Sequence, residues 1–69
     1  MSEIDMLSVV ALLEDRPGEG LRRGQVGTVV EALAPGLYEV EFSDDLGRTY
    51  ALVPLRSEQV LKLYHDQAA

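Results

Sequence analysis

Apolar residues in this chain fall into short runs, and turn signals separate the runs. Residues 9–14, VVALLE, form the first run, rich in valine and leucine. Its shortness, and the loop that follows, predict a buried strand and not a helix. Residues 26–33, VGTVVEAL, form the second. Their alternation is not clean: Val26, Thr28 and Val30 share one phase, and Gly27, Val29 and Glu31 the other. A glycine inside a strand marks a bulge or a close backbone approach. A bulge at Gly27 and Thr28 would turn Val29 toward the core, and the pattern alone leaves this register open. Residues 37–42, LYEVEF, alternate cleanly. Tyr38, Val40 and Phe42 face one way and Glu39 and Glu41 the other, which predicts a strand buried on one side. Residues 48–53, RTYALV, predict a fourth strand, ended by Pro54, which has no N–H for a ladder. Residues 60–64, VLKLY, predict a short fifth.

The connections carry their own chemistry. Residues 15–25, DRPGEGLRRGQ, are a loop: Pro17-Gly18 is a turn dipeptide, and Gly20 and Gly24 add breaks. The loop is long enough to be a functional one. Pro35 and Gly36 suit the two central positions of a type II turn, where the second needs a positive φ. In SDDLG, Asp44 and Asp45 support a hairpin turn by bonding their own backbone, and Gly47 takes the left-handed position. SEQV, residues 57–60, predicts one helical turn of 3₁₀ type, with Ser57 as N-cap and Glu58 at its positive end. Residues 1–8 read as a loose arm, in which Ser2 and Asp5 are the one hint of a capped turn. Residues 65–69 read as a frayed tail.

Short strands spaced by turns predict a small antiparallel sheet. So small a sheet must curl to enclose its own apolar face. The expected fold is therefore mainly β: a five-stranded, partly open barrel with a 3₁₀ turn before the last strand. With 69 residues, the chain makes one domain. A chain of this size buries only about 60% of the surface its unfolded form exposes. It has no cysteine and one histidine, so disulfides and thiolate zinc sites are excluded and a structural metal is not expected. Stability must come from packing or from a partner, including a second copy.

Twelve acidic residues against six basic ones give a net charge of −6. That balance argues against nucleic acid and against anionic membrane surfaces, and suits a basic protein partner. The N-terminus lacks the pattern of a signal peptide. The longest apolar run, residues 9–13, is far short of the ~20 a membrane helix needs. The expectation is a soluble, cytoplasmic protein.

No catalytic constellation stands out. His65 lies in the tail. Ser8, Ser43 and Ser57 have no base near them in sequence. Asp44 and Asp45 supply too few oxygens for calcium. The glycines of GEGLRRGQVG lack the lysine and Ser/Thr of a phosphate loop and lead into a strand. No catalytic, metal or cofactor residue is expected, and an enzyme is not. Arg22 and Arg23 are the most basic spot. Either they anchor an acidic group bidentately, or they are solvated turn residues balanced by Glu14, Asp15 and Glu19. The loop offers no aromatic for base stacking. Tyr38 and Tyr50 either line a peptide groove or pack as ordinary sheet residues. The candidate binding face is thus Arg22, Arg23, Tyr38 and Tyr50. Gly24, Gly27, Gly36, Asp44, Asp45 and Gly47 are structural.

The order of elements resembles the SH3-like barrel, and RRGQVGTVVE resembles the glycine-bearing strand of KOW-type barrels. Residues 12–63 are similar to a family of small bacterial proteins, common in cyanobacteria, whose shared domain is of unknown function. The shared pattern is ED-x-P, G-L-x-x-G-x-V-G-T-V-V-E, Y-E-V-E-F, D-x-x-G-R-T and A-L. The V-G-T-V strand is also similar to that of SH3-like docking subunits in electron-transfer and nitrile-hydratase systems. These resemblances imply an SH3-like fold and a docking role. The expected function is a non-catalytic protein-interaction module, such as the small acidic partner of a neighbouring gene product. Alternatives are a nucleic-acid-binding KOW-like module and an antitoxin-like neutraliser of a basic toxin.

Overall fold

The computed structural model describes residues 4–64. Five strands form one antiparallel sheet: β1 Val9–Leu12, β2 Val26–Ala34, β3 Leu37–Ser43, β4 Thr49–Arg56 and β5 Val60–Leu63. Their order across the sheet is β4-β3-β2-β1-β5. The two end strands do not pair with each other, so the sheet is open. The expected 3₁₀ turn stands before β5, at Ser57–Gln59. A second, Pro17–Glu19, lies in the long loop.

The inner face is the core. Val10, Leu12, Val29, Tyr38, Val40, Phe42, Val53, Leu55 and Val60 are all buried there. They come from alternate positions of each strand, as the pleat requires. Leu21 joins them from the long loop at 1% exposure. That loop is therefore pinned and not loose. Arg16 and Leu21 form an isolated bridge around the 3₁₀ turn, and Gly24 N–H donates to the Leu12 carbonyl at 2.8 Å.

Several local expectations are corrected. Gly27 sits in regular register opposite Val10. The extra residues of β2 lie further on, where register shifts between Val29 and Glu31 and again between Ala32 and Ala34. Gly27 has a different task. A Cβ there would lie 2.7 Å from Val40 Cγ1, 2.8 Å from the Glu41 carbonyl oxygen and 2.9 Å from Phe42 Cε2. Only glycine lets β3 and its core side chains come this close.

Pro54 does not end the fourth strand. β4 runs on to Arg56, with Pro54 opposite Glu39. β4 is an edge strand, the one place where a sheet tolerates a missing N–H. Ser57 does not cap the turn that follows. The Gln59 side chain does so by accepting the Arg56 N–H at 2.8 Å. Part of the expected loose arm is also bound. Ser8 is buried, and its hydroxyl donates to Asp5 Oδ1 at 2.9 Å. Leu7 N–H donates to the Val29 carbonyl at 2.8 Å, and Val29 N–H returns to Ser8 at 2.9 Å. Ser2 and the expected tail, His65 included, lie outside the described residues.

The hairpin turns behave as their residues predict. Gly36 and Gly47 take φ of 76° and 80°. Asp44 Oδ1 accepts the N–H groups of Leu46 and Arg48, each at 2.9 Å, while Oδ2 accepts Arg48 Nε at 3.0 Å. The backbone N–H of Arg48, before the Leu46 N–H and the Arg48 side chain, holds the Asp44 carboxyl below its ordinary value of 3.8. A carboxyl lowered by folding stabilises fully above that ordinary value, and the contribution is lost as pH falls through the lowered one. Asp44→Asn keeps an acceptor oxygen but cannot titrate. Thermal melts from about pH 5 to about pH 2 should therefore show a shallower acid decline for Asp44→Asn than for the parent. Parallel declines would contradict this role.

Candidate interaction surface

The loop after β1 holds two of the candidate residues in a fixed frame. Asp15 Oδ1 accepts the Arg23 N–H at 2.9 Å, and Gln25 Oε1 accepts the Arg22 N–H. Gly24 closes the turn at φ 92°. Gln25 Nε2 then donates to the Tyr50 hydroxyl at 2.9 Å, tying this loop to β4. Arg22, Arg23 and Tyr50 are thus gathered through Gln25, a residue that the sequence pattern did not single out. Gly20, Arg22, Arg23, Gly24 and Gln25 line a shallow cleft of about 490 Å³.

Tyr38 does not belong with them. It is 7% exposed, on the inner face of β3 opposite Leu55. Alternation with Val40 and Phe42 puts it in the core, so it is removed from the candidate face. Asp44, Gly36 and Gly47 shape their turns, while Asp45 lies in the hairpin turn without, among the described residues, the backbone bond expected of it, which Asp44 makes.

The cations divide into two groups. Arg16 binds the Glu19 carboxylate through Nε and Nη2 at 3.1 and 3.2 Å, with Glu14 at 3.9 Å. The hydrogen bond to Glu19 raises the Arg16 pKa above its already high value. Arg48 pairs with Asp44 and Lys62 with Asp5. Among the described residues, the Arg22, Arg23 and Arg56 guanidinium groups have no acid within ion-pair distance. Of the acids expected to balance Arg22 and Arg23, Glu14 and Glu19 are with Arg16, and Asp15 holds the backbone N–H of Arg23 and not a guanidinium.

The outer face of the sheet carries a larger feature. β1 reads Val-Val-Ala-Leu, with no alternation, the pattern of a strand covered on both sides. Among the described residues, only its inner side is covered. On the outer side, Leu61, Ala11 and Val26 form one cross-strand row. Leu63, Val9, Thr28, Glu41 and Leu52 form the next. Val26, Leu61 and Leu52 are exposed by 48, 53 and 53%. Beyond them lies a row of Glu31, Glu39 and Pro54. The bulge before Glu31 puts that carboxylate outward. Without the extra residue, Glu31 would face Tyr38 in the core. The signal for this surface was present in β1 and in the Leu61–Leu63 spacing, but a pattern of apolar residues does not say which face gets covered.

Among the described residues, no three His, Cys, Asp or Glu side chains converge to hold a metal ion. Nor is any helix there long and apolar enough to cross a membrane. The family model of a domain of unknown function, DUF4926, matches residues 6–62. The chain belongs to the DUF4926 family. The span shared with that family takes in the Leu7–Val29 contact and all of β1 through β4, and it ends at Lys62 inside β5. No curated protein matches the chain, and no solved structure does.

Proposed function

We propose that this DUF4926 chain is a non-catalytic protein-interaction module that binds through the outer face of β5, β1 and β2. The observation that carries the reading is the uncovered apolar row of Leu61, Ala11 and Val26, adjoined by Val9 and Leu63. Apolar patches rimmed by polar residues mark interaction sites on small soluble domains. Here the rim is Glu31, Glu39 and Glu41 on one side and the Arg22–Gln25–Tyr50 corner on the other. Strand addition is a weaker route. Pro54 interrupts the donors of the β4 edge, and β5 is only four residues long. Nucleic acid is a poor occupant, because the three glutamates would lie against phosphates.

Photo-crosslinking tests the reading in cells that make the protein. A photoreactive amino acid replaces Leu61 in one variant and Leu46, at the exposed hairpin tip, in another. The expected result is a discrete protein adduct from position 61 that is absent from position 46. No adduct, or the same adducts from both positions, would refute the assignment of this face.

A further inference from the structure

The outer face carries charge as well as apolar surface, and its charge is unbalanced. Glu31 and Glu39 are direct cross-strand partners. Side chains so paired have Cβ atoms about 5 Å apart, and like charges there destabilise a sheet. Among the described residues, neither has a cation within ion-pair distance. Glu41 lies on the same face, one pair further along β3, and accepts a hydrogen bond from Thr49 Oγ1 at 2.5 Å. The nearest strand neighbour of Glu39 on the other side is Pro54, which offers no donor. The result is an acidic stripe along β2 and β3. It lies between the apolar strip of β5 and β1 and the exposed Leu52 of β4.

Resting on the interaction reading above, we propose that the partner is a cationic, apolar protein segment. Its apolar side chains cover Val9, Val26, Leu61 and Leu63. Its lysines or arginines reach the Glu31–Glu39 pair and relieve their repulsion. A second copy of this chain is the wrong occupant. An isologous contact sets a patch against itself, and this patch holds Glu31, Glu39 and Glu41, with Arg56 at the end of β4 as the nearest cation. Arg16, Arg48 and Lys62 are already paired with the chain's own acids, and Arg56, exposed at the end of β4 two residues beyond Pro54, sets only one cation per copy against three glutamates. The unpaired Arg22 and Arg23 lie beyond the β2 end of the patch, away from the Glu31 row.

The probe is a synthetic peptide of alternating leucine and lysine, titrated into the isotope-labelled full chain and followed by amide chemical shifts. A leucine–glutamate peptide of equal length is its counterpart. Shifts should map to β1, β2 and β5, and the leucine–glutamate peptide should cause none. The Glu31→Gln, Glu39→Gln double variant should weaken binding about tenfold and flatten its salt dependence. Leu61→Asn should weaken it by a similar factor without that flattening. Glu31 and Leu61 are exposed and Glu39 is half-buried on the outer face, so the variants should fold, which their unperturbed core amide shifts would verify. Equal binding of the two peptides, shifts confined to the Asp44–Arg48 hairpin, or no binding at all would overturn the proposal. So would a dimer in light scattering that Leu61→Asn dissolves. If position 61 crosslinks to a protein whose captured segment is acidic, the interaction reading survives and the cationic partner falls.

Discussion

Gly27→Ala should lower the thermal midpoint by roughly 12–24 °C, the shift that about 3 kcal/mol produces in a domain this small. Overpacking a filled core typically costs about 1–3 kcal/mol. This site belongs at the upper end, because all three contacts of the new Cβ fall inside 3.0 Å. None of them yields easily. Val40 and Phe42 are fully buried, and the third contact is the backbone carbonyl of Glu41. Relief requires β3 to move away from β2, the pairing that builds the middle of the sheet. The whole domain is expected to hold only about 3–10 kcal/mol, so such a loss leaves little reserve. Gly18→Ala is the control, since a Cβ at Gly18 meets nothing within 4 Å. Melting curves followed by circular dichroism decide the matter. If the two variants melt together, the close approach at Gly27 is not what the glycine is for.

Leu21→Ala should be comparably severe, costing about 2–5 kcal/mol. Leu21 comes from a loop whose other side chains are mostly exposed, yet it is among the largest fully buried side chains. Its removal empties one of ten core positions and also frees the loop that frames Arg22 and Arg23. Two readouts follow. The midpoint should fall far more than it does for Leu46→Ala, a leucine 76% exposed at a hairpin tip. Amide exchange should also accelerate at Leu21 and Glu19, whose N–H groups bond the Arg16 carbonyl. A Leu21→Ala chain as stable as Leu46→Ala would mean that the loop packs on the core without contributing to it.

The bare outer face and the core share a physical origin. β1 is apolar on both phases because its inner residues, Val10 and Leu12, fill the core, while Val9 and Ala11 begin the uncovered rows. A two-layer domain would bury the second phase under a helix or another sheet. Among the described residues, no helix or second sheet lies over the outer apolar face.

Much of the architecture follows from local chemistry. The alternation of LYEVEF places Tyr38, Val40 and Phe42 inward with no help from elsewhere, because a pleated strand repeats every two residues. Pro35-Gly36 and SDDLG specify their turns through φ and side-chain bonding, which are properties of a few neighbouring residues. Five strands, their antiparallel pairing and a 3₁₀ turn before the last are legible on the same grounds, while the family is legible only as a resemblance of motifs. Long-range packing decides the rest. Leu21 looks like any loop leucine until the core has a gap for it. Pro54 looks like a strand end until β4 proves to be an edge. Glu31 faces outward only because β2 takes an extra residue where it meets β3, and Arg22, Arg23 and Tyr50 meet only through Gln25. Sequence by itself determined the number of strands, most of the turns and the inner face of β3, whose causes lie within a few residues. Which surface stays bare, and which charges gather on it, was decided by register and loop docking between segments far apart in the chain.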